Sequence, residues 1–312
     1  GSRPSPDHRR HPSWTPALRG AASFLAQSGV LAGLRDLRRG LTVDVIPTIT
    51  SSAVGTRPTS GAAWDYNGGR PELGGSVRWG VTSNLTIAGT ANPDFSQVEA
   101  DATQFSYDPR QAVFFPERRP FFLESQEQFT TPNRLIYTRR IAQPVAASKL
   151  TGKYGGFDIG VLSAVDNQDA SFNQTNSPLY NIVRLQRDLG AQSRMGIAYT
   201  DKIDGQRWNR VVGVDGRLVR GIYNLQGQVA SSFTSSDTGM RRAPLFDVSA
   251  SRNGRRFVAR YAVNGISPDF DAQSGFIARP GIANISATHR WNFYGKPKAL
   301  VELFSPELYM LG

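Results

Sequence analysis

Residues 222–233 read IYNLQGQVASSF, and their two-residue alternation decides the fold class. Tyr223, Leu225, Gly227, Val229 and Phe233 share one face, while Asn224, Gln226, Gln228 and Ser232 share the other. That is the pattern of a strand with one apolar and one polar side. It recurs on both sides of this stretch. Residues 255–263 set Phe257, Ala259, Tyr261 and Val263 against Arg256, Val258, Arg260 and Ala262. Residues 283–293 set Ala283, Ile285, Ala287, Trp291 and Phe293 against Asn284, Ser286, Thr288, Arg290 and Asn292. Turn signals punctuate the runs. Arg252-Asn253-Gly254-Arg255 predicts a type I′ hairpin, whose two central positions need positive φ. Gly155-Gly156 and Ser83-Asn84 predict two further hairpins. The whole is all-β, roughly a dozen strands of about ten residues, the length a tilted strand needs to cross a bilayer.

Periodicity alone leaves two architectures open. A soluble sandwich hides its apolar faces between two sheets; a membrane barrel turns them to lipid and keeps polar residues in its lumen. Three features favour the barrel. The polar faces carry bulky charges (Arg184, Arg217, Arg256, Arg260, Arg290), which suit a wet lumen with Gln226 and Gln228. The apolar faces mix small residues such as Gly227, Ala259 and Ala287 with aromatics near strand ends. The strands also exceed the usual length in soluble sheets.

Composition narrows the function classes. Thirty-six Lys and Arg against 25 Asp and Glu give a net charge of +11 and a pI near 10.2. Such a balance suits an anionic partner. Nucleic acid is not expected, because the basic residues are scattered along strands and no RNA-binding signature occurs. The chain has no cysteine, which excludes zinc fingers and a disulfide scaffold. With 31 Gly and 19 Pro it is rich in turns. No run of 18 apolar residues offers a transmembrane helix. No phosphate-cradling loop, nucleophile elbow or metal-spaced cluster appears, so neither cofactor nor metal is expected. Only His289 lies among the strands, and the Asp-rich turns at 201–204 and 269–271 lack calcium-loop spacing.

Between the strand Leu85–Ala91 and residue 145 the alternation stops. Residues 92–145 are dense in Phe, Pro and paired charges, and an irregular stretch this long within a compact chain is usually functional. Asp94, Glu99, Asp101, Glu117 and Glu124 mingle there with Arg118, Arg119, Arg134, Arg139 and Arg140. Phe95 and the pairs Phe114-Phe115 and Phe121-Phe122 supply anchors. Unpaired backbone and charge cannot face lipid. The segment is therefore expected inside a barrel or at its periplasmic mouth, as a plug or constriction.

The string Phe114-Phe115-Pro116-Glu117-Arg118-Arg119-Pro120-Phe121-Phe122-Leu123-Glu124 is highly specific. With Asn92-Pro93-Asp94-Phe95 upstream, it resembles the hallmark of a bacterial outer-membrane barrel family, domain-of-unknown-function 5916. Tyr137-Thr138-Arg139-Arg140-Ile141, Lys149 to Lys153, Val183 to Asp188, Asn209 to Asp215, and Ile266 to Phe270 with Gly275-Phe276 resemble further family segments in order. Ala142 departs from the glycine expected after Arg-Arg-Ile. The resemblance implies a barrel in the outer membrane that follows a carbohydrate-binding, family-9-like module. On that reading residues 1–40 are a basic tail and linker, residues 41–312 are barrel, and the sequence is part of a longer protein.

The resulting expectation is a barrel that binds or passes a solute, a carbohydrate or an anion, with lipid and lipopolysaccharide as partners. Arg241 and Arg242 are candidates to meet lipopolysaccharide phosphates, with ordinary solvated loop charge as the open alternative. Two alternatives stay open. Glu117 with Glu124, or Asp94 with Glu99, would be the carboxylate pair of a glycan hydrolase. A structural platform for the upstream module is the other.

Overall fold

The computed structural model describes residues 42–51, 53–57, 59, 61, 63–69, 71–93, 112–237, 239–296 and 299–312. The tail predicted for residues 1–40 lies outside them, as do Asp94, Phe95, Glu99 and Asp101. The fold is all-β. In chain order the first strands are β1 (Val43–Thr50), β2 (Ala53–Thr56), β3 (Asp65–Gly68), β4 (Glu72–Gly80) and β5 (Leu85–Ala91). A four-residue helix, α1 (Pro120–Leu123), precedes β6 (Pro144–Tyr154), β7 (Phe157–Asp166), β8 (Leu179–Asp188) and β9 (Arg194–Asp204). Then come β10 (Arg207–Arg220), β11 (Tyr223–Ser236), β12 (Gly239–Asn253), β13 (Phe257–Ile266) and β14 (Ile282–Trp291). The last are β15 (Phe293–Tyr294), β16 (Leu303–Phe304) and β17 (Glu307–Leu311).

Thirteen of these strands form one antiparallel sheet in the order β1-β4-β5-β6-β7-β8-β9-β10-β11-β12-β13-β14-β17. From β4 to β14 each strand pairs with its sequence neighbour, the meander that short hairpin connections dictate. β1 and β17 are the edges, and they do not pair with each other among the described residues. β2–β3 and β15–β16 are separate hairpins.

The two ends of the sheet differ. At one end, five connections (81–84, 155–156, 189–193, 221–222 and 254–256) are short turns, and 292–306 holds the β15–β16 hairpin. At the other end lie the strand termini joined through residues 51–71, 92–143, 167–178 and 267–281, and the tight turn at 205–206. Gly155 and Gly156 take φ of 58° and 80°, the left-handed pair that a type I′ turn needs. The hairpin expected at Asn253-Gly254 differs. Asn253 stays in register with Val258, and neither Asn253 nor Gly254 has positive φ. Gly254 is favoured for another reason: a Cβ there would lie 2.8 Å from the Phe257 carbonyl, to which the Arg252 guanidinium donates as it crosses the glycine.

Over the middle strands one face of the sheet is covered and the other is bare. Residues 112–143 and 267–281 pack on the covered, inner face. Phe121, Phe122, Phe129 and Ile141 meet Ala88, Ala147, Leu162, Ala164 and Ile182 in one cluster. Leu135, Phe270 and Ala272 meet Ala198, Val211, Ala230, Ala243 and Leu245 in a second. Small residues on the strands make room for these intruders. A Cβ on Gly160 would approach the Phe129 ring to 3.0 Å, and one on Gly213 would approach a Leu135 methyl to 2.6 Å. Leu135 is fully buried and has no room to retreat. Gly213→Ala is therefore expected to cost about 1–3 kcal/mol, as overpacking does. Chemical unfolding of the folded chain checks it, and Leu135→Val in the same molecule should recover part of the loss.

The outer face keeps its oily side chains uncovered. Tyr223, Leu225 and Val229 are 57%, 47% and 58% exposed, whereas Gln228 on the inner face is 1% exposed. A sandwich requires the opposite distribution. Outward-facing Trp79, Tyr154, Phe157, Tyr223, Phe257 and Trp291 all stand at strand ends beside the short turns. His289 is also on this face, where the Tyr261 hydroxyl reaches its Nε2 at 2.8 Å and Phe257 and Trp291 flank it.

Candidate functional site: a clasped inner segment over a polar trough

The inner segment is held by the Pro-Glu-Arg-Arg-Pro corner. The Glu117 carboxylate folds back onto its own chain, accepting from the backbone N–H groups of Arg118 and Arg119, both at 3.1 Å. It also forms a two-pronged pair with the Arg119 guanidinium at 2.8 and 2.7 Å, and accepts from the Thr138 hydroxyl at 2.6 Å. Arg119 uses its remaining donors on the carbonyls of Ile141 and Thr138, at 2.6 and 2.9 Å. One buried ion pair thus ties residues 117–119 to residues 138–141. Such planar, two-point pairing is what arginine provides and lysine does not. Burial alone would raise the Glu117 pKa, but the hydrogen bond and charge of Arg119, with the Thr138 hydroxyl, outweigh it and hold the carboxyl below its ordinary range.

Each neighbouring residue has a mechanical role. Pro120 opens α1 at the position where a missing N–H is harmless. The following turn drives Phe121 and Phe122 into the core, edge to face at 5.1 Å. Arg119 lies over the Phe122 ring at 4.3 Å. Phe114 packs between Tyr137 and Phe276, with Arg134 over its ring at 4.2 Å. The Phe115 backbone exchanges hydrogen bonds with the Tyr137 hydroxyl. Arg139 donates to the Pro116 carbonyl and Arg140 to the Gly275 carbonyl.

The wall supplies its own anchors, which sequence reasoning alone does not single out. Buried Lys149 donates to the carbonyls of Phe121 and Glu124 at 2.5 and 2.6 Å. Arg78 pairs with Glu124 at 2.7 Å. Fully buried Asp166 accepts from the N–H groups of Ala142 and Gln143 where the segment rejoins the sheet. Residues 267–281 form the other half of the inner layer. Tyr137 donates its N–H to the Ser274 carbonyl, Phe276 to that of Arg134, and Ala112 to that of Ala278. Their signal in the sequence is a break in alternation after Ile266, which by itself assigns no role.

This geometry bears on hydrolysis. Glu117 is committed to Arg119, and Glu124 to Arg78. A carboxyl held below its ordinary pKa is a poor general acid at neutral pH. Among the described residues, no cluster of acidic and histidine side chains is placed to hold a metal.

Beside the segment, the inner wall forms a polar trough. One cavity of about 480 Å³ lies between residues 130–134 and strands β8 to β12. Arg184, Arg217, Gln226 and Gln228 line it, together with Arg134, Arg194, Asp215 and Asp247. A second of about 480 Å³ continues from Gln226, past Arg260 and Arg290 to Glu307. Six of the seven expected lumen residues therefore line the trough. Arg256 does not; it sits exposed in the 254–256 turn, because β13 begins only at Phe257.

Charges in the trough are partly neutralised. Arg184 crosses over Gly196, where a Cβ would lie 2.7 Å from the guanidinium, to grip Asp215 at 2.5 and 2.8 Å. Arg290 pairs with Glu307 at 2.7 Å, and Arg217 donates to Asn224. Asn133, on the segment, donates to Gln228 twice and to Asp247. The Gln228 Nε2 and Arg184 Nε remain buried without a partner among the described residues. The first cavity has four arginines against two aspartates.

Residues 60–154 match the model of a family described as a domain of unknown function, DUF5916. The DUF5916 match contains the Phe-Phe-Pro-Glu-Arg-Arg-Pro-Phe-Phe string and bears out the resemblance read from it. It takes in β3, β4, β5, the clasp and β6, under a third of the chain. Among solved structures, the crystal structure of Pseudomonas aeruginosa OccK11 (OpdR) aligns over 81% of this chain and 72% of that chain. The identity is 11% and the TM-score 0.33, too distant a likeness to carry an argument. No curated protein matches the chain.

Proposed function

We propose that this chain is the wall and plug of an outer-membrane β-barrel, and that its trough binds or passes a small polar solute. One observation carries the reading: the sheet exposes its apolar face, edged at one end by aromatics, and turns arginine and glutamine toward its covered face. That is the distribution of a lipid-facing strand wall. In hydrocarbon an unpaired edge is intolerable, so in the membrane the β1 and β17 edges are paired. The short-turn end is periplasmic and the long-loop end extracellular, following the usual asymmetry of such barrels. β1 then begins at the periplasmic end, where the upstream carbohydrate-binding module implied by the resemblance would sit. Arg242, over the Phe233 ring near the opposite rim, would meet lipopolysaccharide phosphates beside Arg241.

The excess of arginine in the first cavity favours a solute with a carboxylate or phosphate. An acidic carbohydrate would satisfy that charge as well as the upstream module. Reconstitution in a planar bilayer tests the reading. Anion-selective conductance is expected, and Arg194→Gln should reduce the preference by roughly fivefold, the effect of one charge met across water at contact distance. Absence of any conductance, with or without the plug clasped, would leave the platform role.

A further inference from the structure

A cavity larger than either in the trough lies outside it. It is an outward-facing groove of about 780 Å³ at the short-turn end, lined by ends of β10, β11, β12 and β13. Its origin is a local dip in side-chain size. Outward Ala250 lies between Leu225 and Tyr261 in the cross-strand register, and Ala259 lies between Arg252 and His289. These alanines form a floor, with Tyr223, Leu225, Phe257 and Tyr261 rising on either side. Its volume is within the range that encloses a drug-sized ligand. Arg220 and Arg252 stand at the mouth, both facing outward, and no acidic residue lines the groove.

We infer that the groove binds one anionic glycerophospholipid of the leaflet at the short-turn end. An acyl chain would lie on the alanine floor, with the phosphate at Arg220 and Arg252. This rests on the barrel reading, since the outer face must meet lipid. Two independent features select the occupant. The groove is apolar along its length, as an acyl chain requires, and cationic only where it reaches the aromatic ends of the strands. Arg252 is already held in place at the mouth, because its Nη1 is fixed on the Phe257 carbonyl at 2.6 Å. Basic side chains at this depth attract anionic headgroups. A second protein copy would instead place its own apolar residues over the alanines and its own carboxylates at the arginines.

Native mass spectrometry of the full chain, released from vesicles of mixed phosphatidylglycerol and phosphatidylethanolamine, tests the inference. One phospholipid retained per chain, mainly phosphatidylglycerol, is expected. Ala259→Phe fills the floor and should lower retention about tenfold, the worth of two buried methylenes, while Val212→Phe elsewhere on the outer face should not. Arg220→Gln should reduce the preference for phosphatidylglycerol about fivefold, and Arg252→Gln likewise. Retention unchanged in Ala259→Phe, no headgroup preference, or a lipid-free dimer broken by that substitution would each overturn the proposal. A lipid label at Val229 reports separately whether the outer face meets lipid, so the groove can fail while the barrel stands.

Discussion

Glu117→Gln is expected to free the inner segment. The substitution keeps the shape of the side chain but removes the charge opposite Arg119, whose side chain is 8% exposed. Breaking one side of a buried pair costs about 3–5 kcal/mol, because the remaining charge stays in a poorly solvating place. Here the carbonyls of Thr138 and Ile141 still accept from Arg119, so the lower end, about 3 kcal/mol, is the expected loss. That loss falls on docking of residues 112–143 rather than on the strand ladder. Two readouts follow. Protease should cut between Arg118 and Arg140 in the folded chain, and single-channel conductance should rise with more frequent openings. Acid should imitate the substitution. A carboxyl with a depressed folded pKa contributes its full stabilisation above its unfolded pKa, and loses it as pH falls through the folded value. Glu117 is such a group, so the wild-type segment should hold at neutral pH and loosen only below the ordinary glutamate range. In Glu117→Gln that contribution to the acid dependence should vanish.

The second large effect is expected at Asp215. Arg184 is 1% exposed and its charge is met by this carboxylate through two short hydrogen bonds. Its Nε already lacks a partner, so no reserve acceptor is at hand among the described residues. Asp215→Asn should cost about 3–5 kcal/mol, read as a lower urea midpoint of the chain in lipid vesicles. Replacing both members, as Arg184→Met with Asp215→Leu, should recover most of the loss, since an apolar pair of similar volume avoids the desolvation of two ions. The double replacement also makes the trough less polar. Stability recovered without recovery of solute binding would separate the structural role of the pair from its role in the cavity.

Much of the wall is legible in the sequence because alternation reports both the strand and its faces. The faces expected for residues 222–233, 257–263 and 283–291 are those observed, and Gly155-Gly156 turns as expected. The inner segment is legible as an exception: a Phe-rich, charge-paired string with no period has to be packed somewhere sheltered. What it grips is not legible. Lys149 and Asp166 look like ordinary polar positions on alternating strands, and only the fold shows them under the carbonyls and N–H groups of the segment. Gly160, Gly196 and Gly213 likewise read as weak strand residues, yet each gives way to a side chain crossing above it. The partners of Glu117 and Glu124 are illegible for a related reason. Both acids lie near arginines in the sequence, but which arginine each one meets depends on how the corner folds. Arg256 departs from its expected place because period-2 counting runs one residue into a turn. Asn253 departs because pairing with Val258 outweighs local turn preference.

The absence of cysteine makes the decisive measurement clean, since one introduced thiol carries one label. Val229→Cys and Gln226→Cys sit three residues apart on β11, on opposite faces. Each is spin-labelled in the folded chain in lipid vesicles, and relaxation by oxygen, which concentrates in lipid, is compared with relaxation by a water-soluble nickel chelate. The Val229 label should respond to oxygen and ignore nickel, while the Gln226 label responds to nickel. Nickel reaching Val229 as readily as Gln226 would mean that water bathes both faces, and the membrane wall would be refuted.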